Sequence, residues 1–472
     1  MGRFLFDLPE DWAIQSRQAG TVHVVGLDGI PWPCKVNLEG RTLSIQRNRD
    51  GSGHVFVAYP FTKYGELVVS TGTLLENDEP YCLVTELARG TANRLRNQIS
   101  IWQEGGLKIT EEIQKTTALA TKLLSAAIME SDKNQQVVTA RSAIDSAMDA
   151  IFSLSQEFSA QVVPVRKSQS DTTFWLATGT GRGDQFQPSL AAGFADLVEV
   201  PVEQSGAIPD KSTILGPFLN AAPNAMPTDL VALDDFAARK ASTLATAREV
   251  LKEVPDSVKL VHAVSGLNGT GHRYLSYPQQ LQLTVDLIQA IEESTSDLPL
   301  MISFDCPWAE RLAWSVGGTH PLQIADSLLR RGLRISMLGL DINLDYWPGG
   351  SVVRDPLQWI ELIDIWSQLG LPLVLCLRTP TGEQPYHDPE DTKVGPINSP
   401  RSLMSDEQRI QFLETVIPMM IARPTVHGVI WRQWDENDGD IFPNGGLVDA
   451  DGNSKPLLDF WDRIRTQLVS DE

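Results

Sequence analysis

Three short segments gather the residue types that sugar chemistry uses. They are Phe304-Asp-Cys-Pro-Trp-Ala-Glu310, Gly339-Leu-Asp-Ile-Asn-Leu-Asp-Tyr-Trp-Pro-Gly-Gly350 and Trp431-Arg-Gln-Trp-Asp-Glu-Asn-Asp438. A sugar site needs flat aromatic faces for the apolar side of a pyranose ring and carboxylate or amide groups for its hydroxyls. Trp308, Asn343, Trp347, Trp431 and Trp434 are the candidate binding residues in these segments, and Asp305, Glu310, Asp341 and Asp435 are the candidate acids and bases. Each has a plainer reading. Trp431 ends an apolar strand and suits core packing as well as a sugar platform. Asp435, Glu436 and Asp438, taken singly, suit a helix cap or a solvated loop, and their clustering carries the argument. His262 reads more readily as a hydrogen-bonded core histidine than as a base. The Gly179-Thr-Gly-Arg-Gly183 loop matches no phosphate-binding fingerprint.

The elements that must hold these segments follow from periodicity. From Thr173 to the C-terminus, strand-like runs alternate with helix-like ones, the pattern of a parallel sheet wrapped by helices. Strands are expected at 173–177, 197–202, 213–219, 260–264, 300–305, 336–340, 373–377 and 428–431, and eight runs are what a closed barrel requires. Helices are expected at 234–254, 278–295, 321–331, 357–368, 405–420 and 457–468. Only Glu203-Gln-Ser-Gly-Ala-Ile-Pro-Asp-Lys joins the second strand to the third, so the second barrel helix is expected to be missing or reduced to a turn. The fold class is therefore α/β, a TIM-type (β/α)8 barrel over residues 172–470. In such a barrel the reacting groups lie at the C-terminal ends of the strands, where the three segments fall. Ahead of it, residues 1–95 alternate with period two between Gly, Pro, Asn and Asp clusters, as a small antiparallel β domain does. Residues 96–165 change to a helical period and read as a helical hairpin turning at Glu130-Ser-Asp-Lys-Asn.

Composition narrows the partners. The 472 residues are 42% hydrophobic and 21% charged, enough for a sizeable core, and the formal charge is −21 with a pI near 4.8. That balance opposes the positive footprint that nucleic acid or an anionic membrane surface needs, and leaves neutral ligands such as sugars. No apolar run approaches the roughly 20 residues that span a bilayer, and the first residues lack a signal-peptide pattern, so a cytoplasmic location is expected. Cys34, Cys82, Cys306 and Cys376 stand apart without metal-ligand spacing, and no metal or organic cofactor is implied.

The eighth-strand segment His427-Gly-Val-Ile-Trp-Arg-Gln-Trp-Asp435, followed by Gly446-Leu-Val-Asp-Ala-Asp-Gly-Asn-Ser-Lys-Pro456, resembles the end of glycoside hydrolase family 10. Members there carry a Trp on strand eight and close with an "F-D-x-D-G-x-x-K-P" run. Leu338-Gly-Leu-Asp-Ile-Asn is similar to that family's strand-six motif, and Leu369-Gly-Leu-Pro-Leu-Val-Leu-Cys-Leu377 to its strand-seven motif. The resemblance implies a retaining β-1,4-xylanase-like barrel with carbohydrate as partner. It also exposes two departures. The acid/base glutamate of strand four falls on Gly266 and the strand-seven nucleophile on Leu377, followed by Arg378, a further candidate for substrate binding. A retaining mechanism needs two carboxyl groups about 5 to 5.5 Å apart, and loss of general acid catalysis alone costs roughly 100- to 10,000-fold. Whether the chain is an enzyme is therefore left between three readings. The first is a carbohydrate-binding barrel that has lost standard hydrolysis. The second is a glycoside hydrolase with relocated carboxylates drawn from Asp341, Asp305, Asp435 and Glu310. The third is a scaffold whose residues 96–165 take a protein partner.

Overall fold

A computed structural model describes residues 2–10, 20–169, 174–179, 194–200, 213–221, 228–268, 274–295, 297–314, 318–347, 349–382, 404–436 and 442–469. Its N-terminal strands are β1 (Arg3–Asp7), β2 (His23–Gly26), β3 (Pro31–Trp32), β4 (Cys34–Glu39), β5 (Thr42–Arg47), β6 (Gly53–Phe61), β7 (Gly65–Ser70) and β8 (Tyr81–Cys82). They form two four-stranded sheets, ordered β4-β5-β1-β8 and β3-β2-β6-β7, with all pairings antiparallel except β1 with β8. The alternation foreseen in the sequence is explicit in β5, where Leu43 and Ile45 are buried and Gln46 between strand faces is exposed.

Three helices follow, α1 (Leu83–Glu104), α2 (Glu111–Met129) and α3 (Lys133–Gln169). The sequence reading foresaw the last two; α1 begins inside the stretch expected to be β and extends the helical region by a third member. Its buried Leu83, Leu87, Ala88, Ala92 and Leu95 do recur at helical spacing, but Gly90 and its polar neighbours obscure the period. The glycine is there for approach: a Cβ at Gly90 would lie 2.1 Å from the Ser70 carbonyl oxygen at the end of β7.

The remaining elements are β9 (Phe174–Gly179), β10 (Phe194–Val200), β11 (Thr213–Leu215), β12 (Leu219–Asn220), α4 (Thr228–Val231), α5 (Phe236–Val250), β13 (Val258–Leu267), α6 (Tyr277–Ser294), β14 (Leu300–Asp305), α7 (Pro321–Leu329), β15 (Met337–Asn343), α8 (Pro356–Ser367), β16 (Leu373–Arg378), α9 (Asp406–Ile421), β17 (Val426–Trp431) and α10 (Pro456–Val469). Parallel pairing runs β9-β10-β11-β13-β14-β15-β16-β17 and returns from β17 to β9, so eight strands close into a TIM-type barrel. The expected third strand is split in two at Gly216 and Pro217, which are joined by a cis peptide bond. The expectation of a reduced second helix falls at 201–212, outside the described residues. Helix starts carry their signals: Ser276 and Ser405 each close a capping box, and Asp355 accepts from the amides of Leu357 and Gln358 with Pro356 behind it. No helix among the described residues is long and apolar enough to cross a membrane.

The N-terminal layers are fastened to the barrel by the loop after β15. Val68 N donates to Val353 O at 2.7 Å, and Gln358 Nε2 donates to Val68 O at 2.7 Å. Trp347 packs with Ala58, Val68 and Val352 and donates Nε1 to Gly20 O at 3.2 Å. Arg94 on α1 pairs with Asp355 at 2.7 Å, and Arg166 near the end of α3 donates to the carbonyls of Ile421, Arg423 and Val426, from the end of α9 to the start of β17. Because Trp347 bridges both parts, Trp347→Ala is expected to destabilise the protein by about 3–5 kcal/mol, the range for deleting a buried aromatic. Urea unfolding followed by Trp fluorescence and by far-UV circular dichroism measures the loss.

Candidate functional site

Residues two apart on a strand share a face, and in the barrel this sorts the interior into layers. The lowest is apolar: Ala177, Ile214, Leu260, Met301, Met337, Val374 and Ile430, one from each of seven strands, cluster together with Cys376. One step toward the C-terminal ends the same faces turn polar, with His262 on β13, Ser303 on β14 and Arg432 just past β17, together with Glu199 on β10. Gly339, two residues beyond Met337, leaves room there: a Cβ on it would lie 2.4 Å from the Ser303 Cβ.

Those polar residues form one network with Asp341 of β15. Arg432 donates Nη1 to Glu199 at 2.8 Å and Nη2 to Asp341 at 2.5 Å and to Ser303 Oγ at 3.1 Å. His262 Nδ1 lies 2.7 Å from Glu199 and Nε2 lies 3.0 Å from Ser303 Oγ. Asp341 also accepts from Ser303 Oγ at 2.5 Å and from Gly266 N at 2.8 Å. Burial pushes the Asp341 carboxyl up, but Arg432, His262, the Ser303 hydroxyl and the Gly266 amide outweigh it and hold the group below the usual carboxylate range. Glu199 is held low in the same way, burial being outweighed by Arg432 and His262.

Hydrogen counting then assigns the roles. An ionised carboxylate only accepts, so Ser303 donates its proton to Asp341. A Ser-His-Glu row is present by distance, yet the serine proton points away from the histidine. Ser303 is also fully buried. Nucleophilic catalysis needs the opposite direction of proton flow and access for a substrate. The row is a structural charge plug. Sequence reading anticipated the hydrogen-bonded His262 but missed Glu199, Ser303 and Arg432. The available signal was a glutamate amid apolar residues in Leu-Val-Glu-Val and an arginine two residues past the buried Ile430.

Above the plug lies Asp305 at the end of β14. Its Oδ1 accepts from Asn343 Nδ2 at 3.1 Å, its Oδ2 is 3.6 Å from Arg311, and Oδ2 takes no hydrogen bond among the described residues. Burial, which Arg311 only partly offsets, raises this carboxyl from 3.8 to about 6, with the Asp341 charge adding to the rise. Asp305, Asn343 and Arg378 thus end neighbouring strands at the mouth, with Asp341 two residues inside the end of β15, and the Arg378 guanidinium lies 4.8 Å over the Phe442 ring.

The other sequence candidates go elsewhere. Trp431 is fully buried, donating Nε1 to Gly445 O at 3.1 Å and packing on Trp461. Trp434 is buried in the main core, its carbonyl receiving the amides of Leu447 and Val448. Trp347 is spent on the inter-layer junction described above. These three rings are core and junction residues, because loop polarity in the sequence did not reveal that another layer covers them. Glu310 is fully buried in a 3-10 turn (Glu310–Ala313) and faces Arg354 at 3.4 Å, on the outer side with the N-terminal sheet. Trp308 donates Nε1 to Gln358 O at 3.3 Å and lines a cleft beside α8. Asp435 is half-buried next to Gly446. Gly266, where the resemblance implies the acid/base, has a φ of 70° and offers only its amide, and Leu377 is buried. Among the described residues no three His, Cys, Asp or Glu side chains gather to hold a metal.

No family model matches the chain, and no curated protein matches it. Solved structures similar to it include glycoside hydrolase family 10 xylanases and related glycosidases. Native xylanase 10B from Thermotoga maritima is 9% identical, covering 67% of this chain and 99% of that one, with a TM-score of 0.42. A thermostable mutant xylanase from Cellvibrio japonicus is 11% identical over 64% of this chain and 99% of that one, with a TM-score of 0.42. A beta-glucuronidase from an uncultured Clostridium is 12% identical over 58% of this chain and 44% of that one, with a TM-score of 0.36. The barrel assignment rests on the strand pairing itself.

Two stability changes test this electrostatic picture. Arg432→Met leaves two buried carboxylates without their shared cation and is expected to cost about 3–5 kcal/mol at pH 7. Glu199 and Asp341 have lowered folded-state values, so their stabilisation is present above their unfolded pKa near 4 and is lost as acid protonates them. The deficit of the variant should shrink below that pH in chemical denaturation. Asp305 has the opposite sign. Between 3.8 and about 6 the folded state binds its proton more tightly than the unfolded state, so stability falls as pH rises across that window. Asp305→Asn should stabilise the protein at pH 7 by up to about 3 kcal/mol, at 1.36 kcal/mol per unit, seen as a higher thermal midpoint there and no change near pH 3.5.

Proposed function

We propose that the barrel binds a β-linked oligo- or polysaccharide at its C-terminal mouth and does not carry out retaining hydrolysis. The observation that carries this reading is the fate of the carboxylates. Gly266 and Leu377 stand where the family resemblance implies the acid/base and the nucleophile, and Asp341 is bound to Arg432, Ser303 and Gly266. Double displacement needs one free carboxylate and one carboxylic acid on either side of the scissile bond. What remains for binding is the Oδ2 of Asp305, which takes no hydrogen bond among the described residues and has Arg311 at 3.6 Å, with the amide of Asn343 beside it and the Arg378 guanidinium stacked on Phe442; these are groups that can take up sugar hydroxyls.

One observation favours a second reading. A carboxyl raised to about 6 has the character of a general acid, so Asp305 could protonate a leaving group if water were activated opposite it. The same preparation tests both. Xylohexaose titrated into the folded protein by calorimetry should bind saturably, at least tenfold more weakly to Asn343→Ala and Asp305→Ala, while an aryl β-xylobioside is not turned over. Turnover that Asp341→Ala or Asp305→Asn abolishes would replace the binding-only reading with a re-sited hydrolase. Absence of both binding and turnover with xylan-derived ligands would remove β-xylosides as the ligand class.

A further inference from the structure

We propose a second ligand site, away from the barrel mouth: a cleft of about 480 Å³ between the N-terminal sheet and the barrel that takes a small organic cation with an apolar body, such as an arylalkylammonium. The volume is that of a small-molecule pocket, and junctions between folded layers are where such pockets recur. One wall is the turn between β2 and β3 with Asp28 and Ile30, next to Phe56 of β6; the other is Trp308 and the α8 face bearing Glu361 and Ile365. Trp308 is half-buried and Ile365 is 40% exposed, so apolar surface faces the opening.

Charge accounting fixes the sign of the ligand. Arg354, which itself lines the cleft, is paired with Glu310 at 3.4 Å, and Arg94 with Asp355 at 2.7 Å, so these four groups cancel. Asp28 and Glu361 remain, and among the described residues neither has a salt-bridge partner. His320 on the same cleft supplies no positive charge near neutral pH, since burial lowers it to about 4. Glu361 is reached by water, yet the protein packed around it desolvates the carboxyl enough to raise it, Arg94 and Arg354 only partly opposing. A cation seated there would compensate that charge.

The test is calorimetric titration of 2-phenylethylammonium, the neutral 2-phenylethanol and the anionic 3-phenylpropionate into the intact protein at pH 7. The expected result is saturable binding of the ammonium, at least tenfold tighter than either other probe, and at least a tenfold loss in Glu361→Gln with no fall in the thermal midpoint. Asp28→Asn, on the opposite wall, should weaken the ammonium severalfold and leave the alcohol unaffected. Equal binding of ammonium and alcohol, tighter binding of the anion, indifference to Glu361→Gln, or no saturation at millimolar concentration would each overturn the proposal. Xylohexaose titrated into Glu361→Gln keeps the two sites apart, because binding at the mouth should not change.

Discussion

Arg432 is the residue on which the barrel's interior depends. Its guanidinium is the only arrangement among the polar layer's side chains that reaches Glu199, Ser303 and Asp341 together. Carboxylates in a closed barrel are costly unless paired and hydrogen-bonded, and a planar five-donor fork can serve two of them at once where an ammonium would serve them less well. His262, within hydrogen-bond distance of Glu199 and Ser303, ties β10 to β13 and β14. Network and sheet reinforce each other: the strands fix the side chains at alternate positions, and the charges oppose any slip of register that would unpair them.

The same interactions decide what chemistry is left. Asp341 sits near a strand end, where a barrel enzyme would hold a reacting group, but three donors engage it. Asp305, one strand over, has a cation at 3.6 Å and an amide on one oxygen only, so burial prevails and its proton is retained to higher pH. Two aspartates paired across neighbouring strands thus differ in character because one faces the plug and the other the rim.

The loop after β15 gives the molecule its second organising contact. Tyr346 is anchored to the Phe442 and Pro443 carbonyls and Asp345 pairs with Arg409 of α9 at 2.9 Å. Trp347, Val352 and Arg354 turn the other way, to the N-terminal sheet. One short segment therefore both closes the barrel's rim and holds the preceding layers, and the cleft beside α8 exists because those layers meet around it.

Much of this was legible in the chain. Short apolar runs bounded by turn residues gave the barrel strands within a few residues, since a strand buried on both faces must be apolar throughout, and helical stripes with Ser or Asp caps gave the barrel helices. That Gly266 and Leu377 stand where the resemblance implies glutamates was equally read along the chain, because it needs only sequence order. Side-chain fate was not. Trp347 and Trp434 stand in polar surroundings along the chain and are buried by residues distant in sequence. Glu310 and Asp305 lie five residues apart, yet one faces the junction and the other the mouth. Local composition determined which elements form; only the tertiary structure decided which charges neutralise each other, because that depends on distances between strands that the sequence does not contain.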